Sequence, residues 1–366
     1  MTRSNKRILI YRLGSLGDTI IALPAFNKIH ETFTDADITL LTNHPVHAKA
    51  APLESILGKG YFFRRVINYP IGTRNVFVLF KLIKEIKSLN IDTLIYLTST
   101  RKLNTTFAAK IATLRDRWFF KAAGIKNQIG FPKISEDFEI SVDSATGLFE
   151  WEAKRLARRL NALGEISLEN DRYWDLHFTS EELNAANETL SLCSPQKPII
   201  AISTGTKRQS NDWEEHNWIN LLKHLKLILI NWQLIIVGAG EESDRANKCL
   251  DAWDGTGINL CGKTSPRVSG AILKSAKIFI GHDSGPMHLA ACVGTPCVAI
   301  FSARNVPGQW YPRGNSNKII YHHTDCAGCG LEVCIVQNKK CILSITVDEV
   351  KNAVLEILEN IQIETS

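Results

Sequence analysis

Short apolar runs rich in β-branched residues alternate with helical patterns along this chain of 366 residues, and the alternation starts twice. In the first half the predicted strands are Arg7–Arg12, Asp37–Leu41 and Thr93–Leu97, and the predicted helices are Asp18–Thr32, Val76–Leu89 and Trp151–Leu163. In the second half strands are predicted at Ile199–Ser203, Leu234–Val237, Lys277–Gly281 and Cys297–Phe301. Alternation of this kind predicts parallel sheets covered by helices on both faces.

The rhythm is interrupted between residues 164 and 198, in a polar stretch that ends in a proline-flanked turn. The length of the chain also favours two domains rather than one. We therefore predict a first α/β domain over residues 1–175, a second over residues 176–345 and a final helix over residues 346–366. We expect that last helix to pack back toward the first domain.

The formal net charge of +6 is unevenly distributed. Residues 1–175 carry a net charge of +8, whereas the remainder carries −2. A basic half predicts an anionic partner, such as an acidic membrane surface or an acidic saccharide, although a role in solubility alone explains the same excess. Nucleic acid is disfavoured as a partner, because no block of Lys and Arg is interleaved with aromatic residues.

No apolar run reaches the eighteen residues that a membrane span needs, and the run Ile8–Tyr11 is too short for a secretory signal. The chain is therefore predicted to be cytoplasmic, with peripheral contact to the inner membrane as a further expectation. The helix predicted from Val76 has one apolar side, with Lys81, Lys84 and Lys87 opposite. That pattern fits either a core-facing helix or a surface helix that touches anionic lipid.

The segment RLGSLGDTIIALPAF begins at Arg12, where the first strand ends and the first helix starts, the position at which open α/β sheets place their ligands. Gly14 and Gly17 leave the backbone open to close approach, and Asp18 stands at the helix start. The G-x-x-G spacing differs from the dinucleotide fingerprint, and Asn43 stands where that fold would have an acidic residue. A nicotinamide enzyme is therefore disfavoured, and Asp18 is either a reactive carboxylate or a helix cap.

A second segment, GHDSGPMHLAACVGTP, follows another predicted strand. Asp283 or Ser284 can cap the helix, and the amides of Ser284 and Gly285 would then face a phosphate with the positive end of the helix dipole behind them. His288 lies one turn further along the same face. It is either a ligand-binding histidine or a packing residue.

Two loops of the second half could complete a nucleotide site. Lys207 and Arg208 lie in a polar loop after Ile199–Ser203, which would clamp a diphosphate unless it is simply solvated. Glu241, Glu242 or Asp244, in the segment VGAGEESDR, could accept a ribose hydroxyl, which is the weakest of these signals.

Four cysteines near the C-terminus form a C-x2-C-x4-C-x6-C run: Cys326, Cys329, Cys334 and Cys341. Four thiols within sixteen residues suit a tetrahedral structural Zn²⁺. Reduced structural thiols or an occasional disulfide fit the same run.

These segments resemble glycosyltransferase family 9, the heptosyltransferases that transfer heptose from ADP-heptose. The residues from Arg12 to Asp18 match the family's R-x-x-x-[IML]-G-D motif, and those from Asp283 to Pro296 match D-[ST]-G-x-x-H-L-x-A-x-x-x-x-P. The family's phosphate loop is similar to Lys207 with Trp213 and Trp218, and its L-x-G-x-[TS] turn is similar to LCGKT at residues 260–264.

The phosphate loop also departs from the family pattern. Family members commonly have a lysine two residues before the tryptophan equivalent to Trp213, and here that position is Asn211. The lysine of this chain, Lys207, lies earlier in the loop.

The resemblance implies a GT-B fold, with two Rossmann-like domains whose parallel sheets face a central cleft. It implies inverting, metal-independent transfer of heptose from ADP-heptose to a lipopolysaccharide core or a related bacterial surface glycan, with Asp18 as the catalytic base. The donor-binding residues would be Thr204, Lys207, Glu241, Glu242, Asp283, Ser284, Gly285 and His288. The acceptor-binding residues would be Arg12, Gly14, Ser15, Gly17, Arg101, Lys102, Arg115 and Arg117.

Two other functions fit the same fold. A nucleotide-sugar epimerase would need further acid–base residues in the cleft and no saccharide acceptor. A catalytically inactive homologue would bind a glycan or a nucleotide without turnover. The presence of both Asp18 and His288 disfavours the inactive homologue.

Overall fold

The computed structural model describes residues 6–44, 51–58, 60–73, 75–98 and 106–364. The chain divides into two compact units, Met1–Asp175 and Leu176–Ser366, each built on one parallel sheet. The predicted α/β class with two Rossmann-like domains is thereby confirmed.

The described residues of the first domain form five strands and seven α-helices. The strands are β1 (Arg7–Tyr11), β2 (Asp37–His44), β3 (Arg65–Pro70), β4 (Thr93–Tyr96) and β5 (Asn127–Ile129). The helices are α1 (Leu16–Ile21), α2 (Leu23–Thr32), α3 (Leu53–Leu57), α4 (Val76–Ser88), α5 (Thr106–Ala122), α6 (Ser135–Phe138) and α7 (Glu152–Arg159).

The strands of the first sheet lie in the order β3-β2-β1-β4-β5, and all neighbours are parallel. Ile10 at the centre lies opposite Leu40 of β2 and Ile95 of β4, and all three are buried. Because helices cover both faces of a parallel sheet, its central strands are apolar throughout rather than alternating.

Up to residue 364, the second domain contains six strands and seven α-helices. The strands are β6 (Ile199–Ser203), β7 (Gln233–Ile236), β8 (Gly257–Asn259), β9 (Ile278–His282), β10 (Cys297–Phe301) and β11 (Lys318–Tyr321). The helices are α8 (Ser180–Leu190), α9 (Glu215–Ile228), α10 (Ser243–Ala252), α11 (Pro266–Leu273), α12 (Gly285–Cys292), α13 (Lys340–Leu343) and α14 (Val347–Glu364).

The second sheet has the order β11-β10-β9-β6-β7-β8, again with parallel neighbours throughout. Ile202 of β6 lies opposite Ile236 of β7 and Ile280 of β9, and these side chains belong to the domain's buried core. Both sheets therefore repeat the strand order of a dinucleotide-binding fold.

One sequence expectation needs correction. The helix predicted over Asp18–Thr32 is divided into α1 and α2, because Pro24 has no backbone N–H and starts a new helix in its first turn.

The final helix belongs to the second domain, and its expected packing toward the first domain stays a prediction. Its Val350, Val354 and Ile357 lie in the same buried core as α9 and the second sheet.

Candidate active site

In each sheet the order of the strands reverses at one point, between β1 and β4 in the first and between β6 and β9 in the second. Open α/β sheets bind ligands at the carboxyl ends of the strands at such a point, because the flanking connections leave on opposite faces and open a crevice. The Asp18 segment follows β1, whereas the Lys207 loop follows β6 and the Asp283 segment follows β9. All three predicted motifs therefore lie at the switch point of their own sheet.

Asp18 lies in the first turn of α1, and its carboxylate is held by the residue that caps the helix. Oδ2 of Asp18 accepts the backbone N–H and the hydroxyl of Ser15, each at 2.9 Å. The carboxylate is half-buried rather than enclosed. The side chain thus caps the helix and stays partly accessible, so the two alternatives left open by the sequence are compatible.

Gly14 is required by the close approach of this carboxylate. A Cβ at Gly14 would come within 2.6 Å of the Asp18 Cβ, closer than real side chains approach. The N–H of Gly14 donates to Oδ1 of Asn43 at 2.9 Å. Asn43 at the end of β2 therefore anchors the loop, which accounts for an amide at the position where a dinucleotide fold has an acid.

Arg12 is held inside the first domain. Its guanidinium is fully buried and donates to the carbonyl oxygens of Leu97, at 2.6 Å, and of Asp18. These bonds tie the start of α1 to the end of β4. They favour a role in positioning the Asp18 segment, and contact of Arg12 with an acceptor stays a prediction.

The structure describes two of the four other basic candidates, and both lie on α5. Arg101 and Lys102 lie outside the described residues. Arg115 lies on α5 and is paired with Asp116 at 2.7 Å, and the guanidinium of Arg117 stacks 4.4 Å from the ring centre of Phe131. Their assignment to the acceptor stays a prediction.

The Asp283 segment begins α12, with Ser284 as the residue that precedes the first turn and Pro286 within it. His288 is buried, and its Nε2 lies 3.8 Å from Oδ1 of Asp283. The other nitrogen of His288, Nδ1, and the hydroxyl of Ser284 are buried with no hydrogen-bond partner among the described residues. Two unsatisfied polar atoms at the start of a helix, where the amides also lack partners, are the properties of a ligand site.

The loop after β6 separates an exposed lysine from a buried asparagine. Lys207 is exposed, whereas Asn211 is buried, accepts the Ser302 hydroxyl at 2.5 Å and donates to the Asp283 carbonyl at 3.4 Å. The position at which the family commonly has a lysine is thus used here to join the loops after β6, β9 and β10.

The two glutamates of the weakest motif differ in placement. Glu241 is exposed, whereas the Glu242 carboxylate lies directly over Gly205 and Gly238. A Cβ on either glycine would come within 2.1 Å of that carboxylate. Because Gly205 and Gly238 have no side chains, the Glu242 carboxylate fits beside the switch point. Glu242 is therefore a stronger candidate than Glu241 for a ribose contact.

An ion pair that fastens the same loop was missed by the sequence analysis. Arg245 donates to both carboxylate oxygens of Asp212, at 2.9 and 3.1 Å, and to the Thr204 carbonyl at 3.2 Å. Burial alone would raise the pKa of Asp212, but the hydrogen bonds and charge of Arg245 outweigh burial and lower it. Thr204 is buried, so it contributes its backbone to this clamp. No short sequence motif could predict this ion pair, because the two residues are 33 positions apart.

His282, the last residue of β9, was also missed. It is fully buried and accepts the backbone N–H of Trp213 at 3.1 Å through Nε2. Burial lowers the pKa of His282 to about 4, so the imidazole is neutral near pH 7. The Trp213 indole donates to the Ile345 carbonyl at 2.8 Å. Trp213 is thus a core residue that anchors the Lys207 loop.

The four cysteines of the C-terminal run line one small cavity of about 10 Å³, together with Ser210 and Arg304. Within the part of the chain that the structure describes, no three His, Cys, Asp or Glu side chains are placed to hold a metal ion. The sulfurs share a cavity without forming a coordination shell, so the arrangement does not fit the expected zinc site. The Arg304 guanidinium instead holds this segment by donating to the Gly330 and Leu331 carbonyls.

Two Rossmann-like domains with ligand-type loops at their switch points define an α/β protein of the GT-B type. The chain belongs to glycosyltransferase family 9 (heptosyltransferase), whose profile matches residues 113–340, more than half of its length. The family resemblance seen in the motifs is thereby confirmed.

Individual relatives agree with this membership. A lipooligosaccharide heptosyltransferase 2 of Campylobacter jejuni is 30% identical over 132 residues, which are 35% of this chain and 41% of that protein. The core heptosyltransferase OpsX of Haemophilus influenzae is 19% identical over 87% of this chain and 85% of its own. The structure of Escherichia coli ADP-heptose lipopolysaccharide heptosyltransferase II has a TM-score of 0.65 at 16% identity, over 97% of this chain and 99% of that one.

Among the described residues, no helix is long and apolar enough to cross a membrane.

Proposed function

We propose that this chain is an inverting glycosyltransferase that moves heptose from ADP-heptose to a lipopolysaccharide core or a related bacterial surface glycan. Membership of the heptosyltransferase family supports the reaction class. The names of the Campylobacter jejuni and Escherichia coli relatives support heptose as the sugar, and that of the latter supports ADP-heptose as the donor.

The observation that carries the proposal is the pair of unsatisfied atoms at the start of α12. A buried polar atom without a partner costs about 1–3 kcal/mol, so two of them beside the amides of a helix start favour a bound ligand at this position. A diphosphate supplies acceptor oxygens for the Ser284 hydroxyl and the helix amides. Glu242 beside Gly205 and Gly238 would then accept a hydroxyl of the nucleotide's ribose.

The chemical step requires a base on the acceptor side and charge stabilisation on the donor side. The Asp18 carboxylate would take the proton of an acceptor hydroxyl while that oxygen attacks the anomeric carbon of the donor sugar. The bond from that carbon to the diphosphate oxygen breaks, and its electron pair leaves with the diphosphate. Attack opposite the leaving group inverts the anomeric configuration.

Positive charge for the leaving diphosphate would come from this chain's own groups. The N-terminal end of α12 carries a partial positive charge, and Lys207, an exposed residue of the same domain, carries a full one. These groups support a reaction that requires no divalent ion.

The acceptor and the location are the finer parts of the proposal. The net charge of +8 over residues 1–175 supports an anionic acceptor in the domain that contains Asp18. A glycolipid acceptor would bring the chain to the inner face of the membrane as a peripheral protein.

A donor screen tests the proposal. The purified chain is mixed with ADP-heptose and with UDP-, GDP- and dTDP-sugars, and each mixture is scored by thermal shift and by nucleotide release with a truncated lipopolysaccharide acceptor. Of the donors tested, we expect only ADP-heptose to give both a thermal shift and acceptor-dependent release of its nucleotide. A response to another nucleotide sugar would refute ADP-heptose as the donor. Formation of an epimerised sugar nucleotide would identify the protein as an epimerase. Binding without turnover would identify it as an inactive homologue.

A further inference from the structure

Helices α4 and α5 cover one face of the first sheet and present a common outer surface, which we call the α4–α5 surface. Leu82 and Ile86 of α4 share a buried core with Phe120 of α5 and with strand residues such as Leu94. The inner sides of both helices are thus accounted for by packing. Their outer sides face away from the sheet.

The outer sides of these two helices are apolar and aromatic to an unusual degree for a protein surface. Phe77, Phe107 and Trp118 are 85%, 72% and 62% exposed. Of the five exposed Phe, Trp or Tyr side chains among the described residues, four belong to the α4–α5 surface: Phe77, Phe80, Phe107 and Trp118. Exposed Val76, Ile111 and Leu114 extend the same surface. A concentrated apolar patch of this kind marks an interaction site rather than the scattered apolar residues of an ordinary surface.

Positive charge surrounds these apolar side chains. The basic residues of the two helices are Lys81, Lys84, Lys87, Lys110, Arg115, Arg117 and Lys121. The acids are Glu85, which is exposed, and Asp116, which is buried and hydrogen-bonded to Tyr96 and Arg115. Two of the lysines lie against exposed rings, Lys84 at 4.7 Å from the centre of Phe80 and Lys121 at 4.9 Å from that of Trp118.

This combination selects one kind of partner. Aromatic side chains flanked by lysines are the features by which a helix lies in the interfacial layer of an anionic bilayer, with rings among the acyl chains and ammonium groups at the headgroups. A second copy of the chain is disfavoured, because two such surfaces would bring the exposed lysines of one copy against those of the other.

We propose that the α4–α5 surface docks the chain on a bilayer containing anionic lipid. The inference rests on the peripheral location given under the proposed function and extends it, since it names two helices outside the Asp18, Lys207 and Asp283 segments as the surface of contact. It would hold the first domain against the membrane whatever sugar is transferred.

Co-sedimentation with vesicles tests the docking without donor or acceptor present. Vesicles of phosphatidylglycerol with phosphatidylethanolamine are compared with vesicles of phosphatidylcholine alone. The apolar variant is Phe77→Ser with Trp118→Ser, and its matched control is Leu227→Ser with Ile230→Ser, whose side chains are 76% and 67% exposed on the second domain. The charge variant is Lys81→Glu with Lys84→Glu, and its control is Lys223→Glu with Lys277→Glu, all exposed lysines.

We expect wild-type protein and both controls to bind the anionic vesicles. Both surface variants should bind these vesicles at least about tenfold more weakly, while their unfolding midpoints stay unchanged. Binding should weaken with added salt and be poor on phosphatidylcholine. Equal binding by surface and control variants, or equal binding to both vesicle types, would overturn the proposal. Self-association of the wild type that the Phe77→Ser, Trp118→Ser variant abolishes, without vesicle binding, would identify a second copy as the occupant instead.

Discussion

The carboxylate of Asp18 accepts both the backbone N–H and the hydroxyl of Ser15, so the residue proposed as the catalytic base also stabilises the start of α1. Both contacts are made by one oxygen, Oδ2. An amide oxygen can replace Oδ2 as a hydrogen-bond acceptor, but an amide cannot take a proton. The structural and chemical roles of this side chain are therefore separable by one substitution.

Asp18→Asn should abolish transfer while leaving donor binding and stability nearly unchanged. A general base contributes about 10²–10⁴-fold to a rate, and the loss should appear in kcat with a saturating donor. Asp35→Asn, which changes an exposed carboxylate of the same domain, is the matched control. If the Asp18 variant keeps more than about a tenth of the wild-type rate, the carboxylate is only a helix cap.

Lys207→Ala should slow transfer by roughly ten- to a hundredfold, the equivalent of about 1.5–3 kcal/mol for a hydrogen bond to a charged group. The effect should fall mainly on kcat, because the diphosphate gains charge as the glycosidic bond breaks. Arg208→Ala is the control and should do much less, since the Arg208 Nε lies 3.6 Å from the Glu332 carboxylate. Steady-state kinetics with saturating acceptor distinguish them, and a large effect from Arg208 alone would show that the loop acts through a different residue.

Acid should destabilise the second domain through His282. Burial lowers the pKa of this imidazole to about 4, whereas an unfolded chain titrates near 6.5, so between these values the unfolded state binds more protons. The free energy of unfolding should therefore fall by up to about 3 kcal/mol as pH drops from 6.5 to 4. The Asp212–Arg245 pair adds a loss at still lower pH, because the pKa of Asp212 is lowered as well.

Urea unfolding at several pH values measures this loss. His282→Gln keeps a hydrogen-bond acceptor for the Trp213 N–H but does not titrate, so its stability should change less between pH 6.5 and 4 than that of the wild type. Parallel pH profiles for the two proteins would show that His282 does not take part in the acid transition.

Activity should survive EDTA and need no added Mg²⁺, because α12 and Lys207 supply the positive charge for the leaving diphosphate. The assay compares initial rates with chelator alone, with chelator plus Mg²⁺, and untreated. Activity that disappears with chelator and returns with Mg²⁺ would contradict this assignment. A slow loss accompanied by unfolding would instead show a structural metal at the four cysteines, contrary to their arrangement in the cavity.

The central strands of both sheets could be predicted from the sequence, whereas the edge strands could not. The four strands that escaped prediction, β3, β5, β8 and β11, are the two edges of each sheet. Edge strands are buried less completely, so they lack the continuous apolar runs by which β1, β6, β9 and β10 are recognised. The predicted positions of the switch-point loops followed from the central strands alone.

Within the site, short sequence motifs predicted where a side chain lies better than they predicted what it does. The place of Asp18, Ser284 and Lys207 at strand ends follows from spacing. The buried guanidinium of Arg12 and the Asp212–Arg245 pair depend on partners far along the chain, which a single sequence does not show.

The most direct test of the proposed function is the anomeric configuration and stoichiometry of the product. Wild-type protein is incubated with ADP-heptose and a truncated lipopolysaccharide acceptor, ADP release is quantified, and the new linkage is assigned by NMR. We predict one heptose transferred per ADP released, with the anomeric configuration inverted relative to the donor. Retention of configuration, or ADP release without a new glycosidic bond, would contradict the proposal that Asp18 activates an acceptor hydroxyl for direct displacement.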